Sequence, residues 1–146
     1  MRAKISVRGA VASDLDTARD WLTNAGLPSA DLTPGHMRGF LIAEVGDESV
    51  GMIGLEAFGE LGLLRSLVVD DAHRGAGIGK QLVSGLEKMA AAAGITQLWL
   101  LTIDAEAYFA DLGFTLRSRD DVPDAIRGSR EFSSLCPGDA ALMSKG

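Results

Sequence analysis

Arg74, Gly75, Gly77 and Gly79 fall within six residues, and Lys80 follows them. Glycine lets the backbone come close to a ligand, and a helix that starts on such a run points its free N–H groups and the positive end of its dipole at the same place. The chemistry this implies is the holding of an anion, with Arg74 as a fixed positive charge beside the amides. Upstream, Arg65 and Ser66 interrupt the otherwise apolar run 61–69. A buried arginine is costly without a partner. The sequence therefore requires either an internal acid, for which Glu56 is the candidate, or an anionic group on a ligand met by the guanidinium fork. Glu56, with Glu60 behind it, is also the candidate for a general base or a water-holding carboxylate. Adjacent strand residues face opposite sides, so Arg65 and Ser66 reach one cleft only if the strand bulges there.

Spacing separates the kinds of glycine loop. A P-loop needs glycine where Arg74 stands and a hydroxyl where Gln81 stands. A dinucleotide fingerprint started at Gly75 needs glycine at Lys80, and Asp104 lies too far on to serve as its ribose acid. What remains is Arg-x-x-Gly-x-Gly over 74–79, directly after Leu67-Val68-Val69-Asp70.

That motif resembles the acyl-CoA pyrophosphate loop of the GNAT superfamily of N-acetyltransferases, and 107–114, ending in Gly113-Phe114, resembles the family's late helix. The resemblance implies an α/β fold with a mixed, mostly antiparallel sheet of six or seven strands flanked by about four helices. It implies acetyl-CoA as co-substrate, held by Arg74, Gly75, Ala76, Gly77, Ile78, Gly79 and Lys80, and by backbone groups of Leu67, Val68 and Val69. Thr102 and Phe109 take the places of the family's pantetheine-holding asparagine and its tyrosine. Tyr108 stands one position from that place, about 100° away on a helix, and is the candidate donor to the leaving thiolate. Segments 64–69, 101–107 and 131–137 are similar to small acetyltransferases of the arsenic-resistance or amino-acid type. This implies a small amine acceptor, an amino acid or an organoarsenical or phosphinic analogue, met by Arg65 and Ser66. No activated nucleophile is visible, so direct attack on bound acetyl-CoA is expected. Phe109 and the missing carboxylate in strand 61–69 keep a non-catalytic acyl-CoA-binding module as the alternative.

The elements that must position these residues follow from periodicity. Strands are expected at 4–7, 39–45, 50–58, 61–70, 97–101, 114–117 and 140–145, with tight turns at 46–49 and 59–60. Ser13 and Asp16 resemble a capping box ahead of a helix that Gly26 and Pro28 stop. Segment 27–38 reads as a loop or short helix. Ile78, Leu82, Leu86, Met89, Ala90 and Ala93 line one face of a long helix that Gly94 ends. Short helices are expected at 105–111 and from Pro123 to Ile126.

The 146 residues suit one domain, read here as 1–146. The net charge of −6, with no basic stripe, argues against a nucleic-acid partner. No run reaches 18 apolar residues and the start has no apolar leader, so no membrane partner and a cytoplasmic location are expected. Cys136 is the only cysteine, which excludes an intramolecular disulfide and a multi-thiolate metal site; a buried structural role is expected and no metal is assigned. Arg127 and Arg130 read as surface charge. A homodimer formed through the C-terminal strand is the expected assembly.

Overall fold

The computed structural model describes residues 4–26, 32–73, 77–103, 105–129 and 140–146. Seven strands form one sheet: β1 (Ile5–Gly9), β2 (Phe40–Val45), β3 (Glu48–Phe58), β4 (Leu61–Val69), β5 (Gln97–Thr102), β6 (Thr115–Arg117) and β7 (Ala141–Lys145), in the order β1-β2-β3-β4-β5-β7-β6. Every pairing is antiparallel except that of β4 with β5. The helices are α1 (Leu15–Asn24), α2 (Ile78–Ala92), α3 (Glu106–Asp111) and α4 (Asp124–Arg127). None of them is long and apolar enough to cross a membrane.

β2, β3 and β4 form the expected meander. A two-residue turn at Gly46-Asp47 joins the first pair and Gly59-Glu60 the second, with Gly46 at φ 62° and Gly59 at φ 66°, where glycine avoids the Cβ penalty. Gly94, at φ 81°, follows α2 as expected.

Two expectations change. β1 extends through Arg8 and Gly9, which pair with Ile42 and Leu41. The Ser13–Asp16 capping box is replaced by Asp14, whose Oδ2 accepts from the Val11 amide at 2.8 Å at the head of a 3-10 turn, Ala12–Asp14. β7 lies between β5 and β6, with both of its edges paired within the chain. The stretch 27–31 lies outside the described residues, and Pro34–Gly39 forms a 3-10 turn.

The sheet is covered on both faces. On one, α2 buries Ile78, Leu82, Val83 and Leu86 against Leu41, Ile53, Leu55, Leu64 and Leu100. On the other lie two separate apolar clusters. Ala18, Leu22, Leu32 and Met37 cover Phe40, Ile42 and Met52, while Val122 and Ile126 cover Leu63, Trp99 and Leu142. β4 contributes to both clusters, Val68 to the first and Leu63 to the second.

Candidate active site

The parallel pairing of β4 and β5 covers three positions only: Leu61 with Gln97, Gly62 with Leu98, and Leu63 with Trp99. Beyond them β5 continues on β7 through Thr102, and β4 continues on β3 through Val69. The two strands therefore part, and the β5-facing backbone of residues 64–69 has no ladder partner among the described residues. Unpaired strand groups are open to a ligand that pairs as a strand does. The helix α2 begins beside this wedge: Val69 side-chain carbon lies 3.8 Å from where a Cβ on Gly79 would stand. Gly77 is the N-cap at φ 80°, a left-handed conformation that glycine adopts without penalty. Of the anion-holding loop expected at 74–79, the part from Gly77 onward is a helix N-terminus at the mouth of the wedge. Ile78 packs in the core and Lys80 is exposed. Arg74, Gly75 and Ala76 lie outside the described residues, as do Asp104, Arg130 and Cys136; Arg127 is exposed.

β4 bulges where the sequence required it. Its register against β3 shifts between Met52, opposite Val68, and Gly54, opposite Arg65. Ser66 has φ 61°, the only positive value at a non-glycine among the described residues. One extra residue reverses the alternation of faces. Leu64, Leu67 and Val69 all pack toward α2, while Arg65 and Val68 turn to the opposite face. Leu67 and Val69 are half-buried there, so their side chains pack while their backbone edges the wedge.

On that opposite face, between the two apolar clusters, sits a polar group of three. Arg65 has no exposed side-chain surface; its Nη1 donates to Glu56 Oε1 at 2.7 Å and its Nε to Ser66 Oγ at 3.0 Å. The internal acid is thus a partner the sequence required. Glu56 has side-chain exposure of 17%, and its Oε2 has no hydrogen bond to the described residues. The third member, His36, was not singled out in the sequence. Its Nε2 lies 3.8 Å from Glu56 Oε1, and its Nδ1 accepts from the Thr33 amide at 3.1 Å. Nothing local could have flagged it, because histidine and glutamate are brought together by a turn packed over β3.

The cofactor side carries the remaining candidates. Thr102 is buried and its Oγ1 accepts from the Ala105 amide at 3.0 Å, shaping the entry to α3. Phe109 is only 5% exposed and meets Tyr108 and Phe114 edge-on, with centroids 5.3 and 5.7 Å away. Tyr108 is the exposed member, and its hydroxyl lies over Gly79, where any Cβ would collide with it. Burial of part of the ring raises the phenol above its ordinary pKa.

Two other features stand apart. A cleft of about 620 Å³ lined by Phe58, Glu60, Leu61, Thr96, Gln97 and Gly146 lies at the paired end of β4 and β5, away from the wedge. Glu48, Asp70 and His73 bring ligand atoms within 4.8 Å of one another at the start of β3, the opposite end of that strand from Glu56.

A seven-stranded mixed sheet whose central strands part beside a glycine-started helix defines the acetyltransferase fold, and residues 36–116 match the family model described as Acetyltransferase (GNAT) domain. The chain belongs to the GNAT acetyltransferase family. No curated protein matches it in sequence. Among solved structures it is similar to N-acetylglutamate synthase from Neisseria gonorrhoeae complexed with coenzyme A and N-acetyl-glutamate (TM-score 0.84, 22% identity, 99% of this chain and 35% of that one). It is also similar to Rv2747 from Mycobacterium tuberculosis in complex with CoA and NLQ (TM-score 0.81, 25% identity, 96% and 98% covered). A third is the PaiA N-acetyltransferase from Thermoplasma acidophilum in complex with coenzyme A (TM-score 0.68, 18% identity, 97% and 98% covered). The chain spans about a third of the length of the N-acetylglutamate synthases it matches.

Proposed function

We propose that this domain transfers an acetyl group from acetyl-CoA directly to the amine of a small acceptor, an amino acid or an arsinic or phosphinic analogue of one. The observation that carries the reading is the wedge between β4 and β5 with the Gly77-capped start of α2 at its mouth. The pantetheine arm pairs with the free edge of 64–69, and the pyrophosphate sits on the helix start that Gly77 caps; Arg74, outside the described residues, is the charge that the sequence offers for it. The coenzyme A in the structures of Rv2747 and PaiA supports this cofactor, and the N-acetyl-glutamate in the gonococcal synthase supports an amino-acid acceptor.

Glu56 serves as the base. Arg65 holds Oε1, leaving Oε2 to take a proton from the acceptor ammonium. The freed nitrogen pair attacks the thioester carbonyl carbon, the C–S bond breaks with its electron pair on sulfur, and the second amine proton ends on the thiol. Backbone N–H groups along 67–69 polarise the carbonyl as charge develops on its oxygen. Tyr108, seated over Gly79, donates to the anionic arm of the cofactor rather than to the thiolate.

The test is thiol release from acetyl-CoA across amino acids, their phosphinic and arsinic analogues and polyamines. Turnover of an amino-acid-like acceptor is expected. Tight acetyl-CoA binding with silence across the panel would instead identify a non-catalytic binding module.

A further inference from the structure

His36 is held by its ring nitrogens in a way the acetyl-transfer chemistry above does not use. Nδ1 accepts from the Thr33 amide at 3.1 Å and lies 3.0 Å from Thr33 Oγ1. An N–H donor at Nδ1 puts the proton of the neutral ring on Nε2. That Nε2–H points toward Glu56 but stops 3.8 Å from Oε1, beyond hydrogen-bond reach, and has no other partner among the described residues. With 29% of its side chain exposed, it is a donor waiting at the polar strip between the two apolar clusters. Its position is fixed: Pro34–Gly39 sits so close on β3 that a Cβ at Gly39 would collide with the Leu55 carbonyl oxygen.

We propose that His36 sets acceptor specificity by donating Nε2–H to an oxyanion borne on the same carbon as the amine, the α-carboxylate of an amino acid. The assignment rests on the acetyl-transfer reading above. Arg65, the residue the sequence pointed to for this task, is wholly buried and acts through Glu56 and Ser66. His36 Nε2 lies 3.8 Å from the Glu56 carboxylate, and this spacing suits an ammonium on the carboxylate and an oxyanion on the ring, both borne by one carbon. The guanidinium already neutralises Glu56, so the incoming oxyanion does not face an uncompensated like charge.

The experiment compares an amino acid that the wild-type protein acetylates with its decarboxylated amine, in wild type, His36→Leu and His36→Gln. A hydrogen bond to a charged group corresponds to about 10- to 100-fold. The leucine variant is expected to raise KM for the amino acid by that factor, and to erase the preference over the decarboxylated amine. The glutamine variant keeps an N–H in reach and is expected to stay within a few-fold of wild type; it decides the matter if the leucine variant does not fold, as judged by acetyl-CoA titration. Equal losses on both acceptors, no loss on either, or a glutamine variant without the preference would overturn the assignment. Absence of any wild-type turnover overturns acetyl transfer itself, and this proposal with it.

Discussion

Arg65 on β4 and Glu56 on β3 form a 2.7 Å ion pair although neither faces the other in the ladder: Arg65 stands opposite Gly54 and Glu56 opposite Leu63. The pair is diagonal, and it ties the bulge to the base. Glu56→Gln keeps the shape and an acceptor oxygen but not the charge. It is expected to lower kcat by about 10²- to 10⁴-fold, the usual share of a general base. Glu56→Ala also removes a partner of a buried guanidinium, at a cost of about 3 kcal/mol. Thiol release and thermal melting on both variants separate the two effects, and a glutamine variant with wild-type kcat would remove Glu56 from the mechanism.

The Tyr108 hydroxyl and Gly79 occupy one place at the head of α2. Tyr108→Phe is expected to weaken acetyl-CoA binding about 10- to 100-fold, the value of a hydrogen bond to a charged group, with kcat nearly unchanged. Gly79→Ala displaces the ring and is expected to weaken binding further. Calorimetric titration reads both; a loss confined to kcat in Tyr108→Phe would return the phenol to the leaving thiolate.

Gly54 leaves room for the Phe40 ring, whose atoms lie 2.5 Å from where a Cβ would stand. Gly54→Ala overpacks the cluster next to Arg65 and is expected to cost about 1–3 kcal/mol. Adding Phe40→Leu should recover part of that loss, because the two positions share one space. Denaturant melts of the single and double variants measure the coupling, and strict additivity would show that the strand relaxes instead.

Asp14 joins the β1 edge to α1. The side-chain hydrogen bond from Arg8 lowers its carboxyl pKa first, with the Val11 amide and the charge of Arg8 adding, against desolvation. A depressed carboxyl contributes stability that is present above the unfolded-state pKa and is lost as pH falls through the lower folded value. Because Arg8 is partly exposed, at 37%, the contribution is held to about 1 kcal/mol. Asp14→Asn is expected to melt lower than wild type at pH 7 and to converge with it in acid; a gap that persists at low pH would assign the effect to packing.

The parts of the fold carried by local patterns were readable in the chain. Turn glycines, the period of α2 and the apolar run of β5 each arise within about a dozen residues. The site was half readable. The need of Arg65 for an acid follows from its apolar neighbours, but the diagonal to Glu56 depends on the bulge at Ser66, and no residue type announces a bulged serine. His36 reaches Glu56 through a turn whose docking is long-range. The place of β7 is likewise a matter of pairing between strands about forty residues apart, where alternation alone names no neighbour.

That placement gives the sheet an order of assembly. β2 to β4 close as two hairpins through contacts near in sequence, whereas β5 and β6 are joined only when β7 slides between them. Distant pairings of this kind are slow to form. The wedge is the seam between the half built of local hairpins and the half that β7 completes. A molecule bound across it would act as a rivet, and would slow their separation as well as take part in the chemistry.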